Sequence, residues 1–148
     1  MTTREATRFL RLAEKAAERS HCRRRHVGAL LIREREDGLK VILRKGINRA
    51  PREVCDVCPR EGFPSGDRLD LCPAEHAEIG ALKNRKEIRT LVRDGERLVL
   101  CVTTHPCADC CRKIEERGIM VVFYLENYPG QEEAEKLAPH VRFVKVGD

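Results

Sequence analysis

Residues 98–125 read LVLCVTTHPCADCCRKIEERGIMVVFYL, and the succession of patterns in this stretch decides the fold. Leu98–Thr103 is a short run rich in Val and Leu, Ala108–Arg117 has helical spacing, and Ile119–Leu125 is continuously apolar. Strand, crossover helix and strand without polar alternation predict parallel strands covered on both faces. Gly118 suits the left-handed turn that closes such a helix. Toward the C-terminus, Gln131–Ala138 reads as a helix and Val141–Val146 as another strand. Toward the N-terminus, Pro73–Lys86 predicts one helix, with Pro73 in its first turn and Ile79 and Leu82 on one face. Val27–Ile32 and Lys40–Leu43, joined through Asp37-Gly38, predict an antiparallel hairpin that ends at Gly46. Thr3–Arg19 places Phe9, Leu10, Leu12, Ala13, Ala16 and Ala17 on one helical stripe. Together these elements predict an α/β fold, a three-layer α/β/α sandwich around a central five-stranded mixed β-sheet.

A chain of 148 residues suits one domain, 1–148, with its own core. Its 41% hydrophobic content argues against wholesale disorder, and its 36% charged content against a membrane protein. No apolar run approaches the ~20 residues a bilayer requires, and the amphipathic Met1–Glu18 does not resemble an export signal, so a cytoplasmic location is expected. The net charge of +5 fits solubility as well as an anionic partner. With 4% aromatics and no Trp, a broad surface for stacking bases is disfavoured, and nucleic acid is not the expected partner. Eight cysteines in a reducing compartment point to metal ligation or catalysis rather than disulfides.

Two motifs carry that chemistry. His76-Ala77-Glu78 opens one predicted helix, and Pro106-Cys107-Ala108-Asp109-Cys110 opens another. One imidazole and two thiolates suit zinc, and three protein ligands leave a fourth position for water. Cys107 and Cys110 are three apart, so they share a helix face. Glu78 lies close enough to His76 to move a proton without being a ligand. A His-x-Glu followed by Pro-Cys-x-x-Cys is the signature of zinc deaminases.

The second motif lies in residues 48–72, which hold three prolines, three cysteines and two glycines without periodicity and read as a long loop. Cys55 and Cys58 form a Cys-x-x-Cys, and Cys22 and Cys72 complete a candidate four-thiolate structural zinc site, with His21 or His26 as substitutes for Cys22. Cys101 and Cys111 are left over, the first as core packing and the second turned away from Cys110 around its helix. Arg23, Arg24 and Arg25 form a basic run, of which one is expected to meet a phosphate.

From about Ala6 to Tyr128 the chain resembles the zinc-dependent cytidine and deoxycytidylate deaminase superfamily, most nearly the deoxycytidylate deaminases of the ComE operon protein 2-like branch. The resemblance rests on the two zinc motifs and on Cys22-Arg23-Arg24-Arg25-His26-Val27-Gly28-Ala29, Gly46-Ile47-Asn48, Gly62-Phe63-Pro64-Ser65-Gly66, Leu71-Cys72, and the pair Tyr124 and Tyr128. It implies zinc-dependent hydrolysis of dCMP to dUMP and ammonia, with Glu78 as proton carrier. It also implies a nucleotide substrate bound by Asn48 at the sugar and by Ala77, Tyr128 and the arginine run. A homo-oligomer responding to dCTP and dTTP is the implied assembly. Gly80, Ile47, Arg49 and Cys101 depart from the residues usual in the family. His-Ala-Glu-Ile-x-Ala-Leu resembles tRNA adenosine deaminases as well, which makes nucleic-acid deamination the alternative function. A zinc-stabilised binding module with an inert Glu78 is the second alternative.

Overall fold

The computed structural model describes residues 1–64 and 67–147; Ser65 and Gly66, which belong to one of the segments carrying the resemblance, lie outside them. Five strands form one mixed sheet: β1 (Gly28–Glu34), β2 (Lys40–Ile47), β3 (Arg97–Thr104), β4 (Ile119–Glu126) and β5 (Arg142–Lys145), in the order β2-β1-β3-β4-β5. β1 is antiparallel to β2 and β3, while β3, β4 and β5 run parallel. The predicted strand–helix–strand unit is β3, α5 (Ala108–Glu116) and β4.

Alternation along the strands divides the core between two faces. Leu30, Ile32, Val99, Cys101, Val121 and Phe123 pack under α1 (Thr3–Ala17) through Ala6, Leu10 and Ala13. Leu31, Leu100, Val102, Val122 and Tyr124 face the opposite layer. That layer is built from α3 (Ala77–Ala81), α4 (Arg85–Thr90), α5 and α6 (Gln131–Glu135). The three-layer sandwich expected from the sequence is therefore the fold. Helix α1 starts at a capping box, in which Glu5 N–H donates to Thr2 Oγ1 at 3.1 Å and Thr2 N–H donates to Glu5 Oε2 at 2.8 Å. Among the described residues no helix is long and apolar enough to cross a membrane.

Two elements differ from the sequence expectation. The helix expected over Pro73–Lys86 is two short ones. Glu75 is extended and exchanges backbone hydrogen bonds with Arg49 at 2.8 and 2.9 Å, which delays the helix to Ala77. Asn84, at φ 61°, then breaks it before α4. Gly46 does not end β2 but lies inside it, because a Cβ there would overlap the Ala77 carbonyl oxygen of α3. Among the described residues of the 48–72 segment, regular structure is confined to α2 (Arg52–Cys55), one 3-10 turn at Leu69–Leu71 and the bridge at Arg49.

Candidate metal centre and substrate cavity

Two helix starts meet at one point, that of α5 following β3 and that of α3 lying against Gly46 of β2. His76 is the residue before α3, Cys107 the residue before α5, and Cys110 lies in the first turn of α5. The His76 ring and the two sulfurs place one ligand atom each within 4.8 Å of one another. Nδ1 of His76 is 3.5 Å from Cys107 Sγ and 3.3 Å from Cys110 Sγ. A tetrahedral ion with Zn–S of about 2.3 Å and Zn–N of about 2.0 Å would hold nitrogen and sulfur roughly 3.5 Å apart, so the three donors fit zinc in type and spacing. Cys111, next in sequence, turns its thiol to the Pro106 carbonyl at 3.7 Å and stays out of the group. Cys101 is fully buried in the core beneath α1.

The ionisation of these groups follows from their contacts. The Cys107 thiol is held down to about 4, chiefly because Cys110 donates a hydrogen bond to it, with His76 adding to the effect against the opposing effect of burial. Cys110, as the donor in that pair, is pushed up. His76 is raised, first by its hydrogen bond to Cys107. Glu78, in the first turn of α3, is 4% exposed, and burial pushes its carboxyl above the usual range despite the neighbouring Cys110 thiol and His76 ring. A carboxyl whose acidity is weakened beside a metal seat is suited to accept a proton and return it.

The same groups form the floor of a cavity. Its floor includes His76, Ala77, Glu78 and Cys107, and its walls include Cys22, Arg24, Arg25, Asn48, Arg60, Cys72 and Tyr128. Asn48 is buried and clamps the chain between α1 and β1: Val27 N–H donates to its Oδ1 at 2.8 Å, and its Nδ2 donates to the Arg25 carbonyl at 2.7 Å. The Arg25 guanidinium stands over the Tyr128 ring, 4.9 Å from its centroid. Tyr128 is fixed in turn by Gln131, whose Oε1 accepts its N–H at 2.9 Å. Arg24 donates to the carbonyls of Arg60 and Phe63, the latter at 2.8 Å, and so ties the chain after Cys22 to the 48–72 segment. Arg23 is not a cavity residue: it is exposed and pairs with Asp56 at 3.2 Å. Arg60 is buried, donates from Nε to the Asp67 carbonyl at 2.9 Å and lines the cavity. Nothing in its local sequence distinguishes it from the surface arginines; only its position two residues after Cys58 is suggestive.

The second cysteine group gathers more loosely. Cys55 is buried, and its thiol is raised first by burial and then by the neighbouring thiols of Cys72, Cys22 and Cys58. Among the described residues, His76, Cys107 and Cys110 are the group whose ligand atoms close to within 4.8 Å. His21 and His26 are exposed, and His21 contacts Arg52 at 3.1 Å.

Residues 3–126 match the family model described as the cytidine and deoxycytidylate deaminase zinc-binding region. The chain is 33% identical over 133 residues to the deoxycytidylate deaminase of Saccharomyces cerevisiae, an alignment spanning 87% of this chain and 40% of that protein. It is 35% identical over 130 residues to the deoxycytidylate deaminase of Mycobacterium phage D29, spanning 78% of this chain and 90% of the phage protein. The chain thus spans about two fifths of the length of the yeast relative. The crystal structure of dCMP deaminase from the cyanophage S-TIM5 in complex with dCMP and dUMP superposes with a TM-score of 0.67 over 98% of both chains, at 24% identity, a likeness of fold.

Proposed function

The chain belongs to the cytidine and deoxycytidylate deaminase zinc-binding family, and from that membership we propose that it hydrolyses dCMP to dUMP and ammonia. The observation that carries the reading is Glu78, buried and raised, on the floor of a cavity whose walls bear Arg24, Arg25 and Arg60. In this reading residues 1–148 act as one deaminase domain, with His76, Cys107 and Cys110 holding the catalytic zinc. Zinc bound there supplies a Lewis acid that lowers the pKa of a water in its open position toward ~7. Glu78 would accept one proton from the attacking water and pass it to the ring nitrogen of cytosine, then accept the second from the hydroxyl added to the ring carbon and pass it to the departing amine, so that the leaving group is neutral ammonia. Burial supports both duties, because a desolvated carboxyl holds its proton longer than one in water. The base lies over Ala77, the sugar meets Asn48, and Tyr128 with the arginines receives the phosphate through charge-assisted hydrogen bonds.

The reading extends to a structural zinc on Cys22, Cys55, Cys58 and Cys72. The mutual effect of these thiols on Cys55 supports that assignment, with Cys22 rather than His21 or His26 as the fourth ligand. It extends also to a cytoplasmic homo-oligomer responsive to dCTP and dTTP. Incubating the zinc-loaded protein separately with dCMP, dCTP, deoxycytidine, CMP and a tRNA, and measuring ammonia, tests the substrate assignment. Release from dCMP ahead of the others is expected. Release from tRNA alone, or from none of the five, overturns the reading.

A further inference from the structure

Immediately before the Pro-Cys-x-x-Cys motif, His105 is buried yet takes no part in the chemistry described above. Its ring lies edge-on to Tyr124 at 4.8 Å and stacked on Phe143 at 5.0 Å. A phenylalanine would fill such a slot, but the histidine uses both nitrogens. Nδ1 is 2.8 Å from the Pro106 carbonyl oxygen, and Nε2 is 2.9 Å from Glu135 Oε1 at the end of α6. The His105 backbone N–H is fixed independently, donating to the Glu126 carbonyl at 2.9 Å. The Pro106 carbonyl shares a rigid plane with the nitrogen of Cys107, so the direction of that oxygen sets where the Cys107 side chain begins. Cys107 then enters α5 at φ −73° and ψ 174°, outside the helix, and besides His105 the Cys111 thiol of α5 reaches the Pro106 oxygen, at the longer distance of 3.7 Å.

We infer that Glu135, acting through His105, is a positioning residue that orients the Pro106–Cys107 peptide and thereby the Cys107 ligand of the catalytic metal seat. Resting on the deaminase reading, the inference concerns the shape of the seat rather than substrate binding. Glu135 is suited to the task because its side chain reaches from the surface to a fully buried ring. Glu133, on the same helix, instead pairs with Lys136 in solvent at 2.9 Å.

Partners of this outer kind change metal affinity or activity by about 10–100-fold. Zinc release to a chelator, together with kcat and KM for dCMP, is the test. Glu135→Ala is expected to release zinc about tenfold faster and to lower kcat about tenfold at unchanged KM, while Glu135→Gln, whose amide group can pair with Nε2 as either donor or acceptor, restores both to within about twofold. Glu133→Ala should behave as the wild type. His105→Phe should match Glu135→Ala, and the double variant should be no worse than either single one. The buried His105 variant can fail to fold, in which case the half-exposed Glu135 pair still decides. Wild-type release and kcat in Glu135→Ala, a loss equal to that of Glu133→Ala, or no recovery in Glu135→Gln overturns the inference. If the wild type does not deaminate dCMP, the functional reading fails, while the zinc-release measurements still judge the role of Glu135.

Discussion

Cys107 and Cys110 lie one helical turn apart but ionise in opposite directions, because one accepts the hydrogen bond that the other donates. The start of α5 favours the thiolate as well, through its unpaired amides. In metal-free protein the reactive form of Cys107 is its thiolate, which predominates above about 4 and is lost as the pH falls through that value. Alkylation of Cys107 by iodoacetamide, followed by peptide mass spectrometry, should therefore be level from neutral pH down to about 5 and fall below about 4, with zinc protecting the residue. A rate that instead rises through about 8.5, as for an ordinary thiol, contradicts the assigned contacts. The gathering of His76, Glu78, Cys107 and Cys110 was legible in the sequence because their spacing is itself a chemical signal. His105 and Arg60 were not, since their roles come from Glu135 and Asp67, partners that only the fold supplies.

His76 immediately precedes helix α3 and Glu78 lies in its first turn, yet the helix has only five residues, so its placement depends on what it lies against. Gly46 is that surface: the Ala77 carbonyl rests where a side chain would otherwise stand. Replacing Gly46 with Ala should push α3 off β2, cost at least about 1–3 kcal/mol in unfolding free energy and reduce zinc retention. Denaturant unfolding with zinc analysis checks this, and a variant with wild-type stability and zinc content contradicts it. The strand–helix–strand unit could be read from periodicity because its strands are covered on both faces and its helix is amphipathic. The 73–86 segment misled because apolar spacing at Ile79 and Leu82 cannot reveal the bridge from Glu75 to Arg49 or the left-handed Asn84.

At the scale of the molecule, the two cysteine groups meet at one cavity. Cys22 and Cys72 line it, Arg24 and Arg25 follow Cys22, and Arg60 follows Cys58, so the loop that the thiols would pin is also the basic wall. Elemental analysis is expected to give two zincs per chain, falling to one in Cys58→Ser with a higher KM for dCMP and a similar kcat; about one zinc in the wild type removes the structural site. The alternation of strands and helices made the layers legible, but not the placement of Asn48, Arg60, Leu69 and Cys72 around the cavity. That long-range packing brings Arg60 toward the metal seat and turns Arg23 away from it.

The central claim is that Glu78 moves the proton in hydrolysis of dCMP. Ammonia release from dCMP by wild type and by Glu78→Gln, each loaded with zinc and with zinc content measured, tests it most directly. The wild type should turn over, and the variant should keep its zinc while slowing by about 10²–10⁴-fold. An active Glu78→Gln, or a zinc-loaded wild type that releases no ammonia from dCMP, would contradict it.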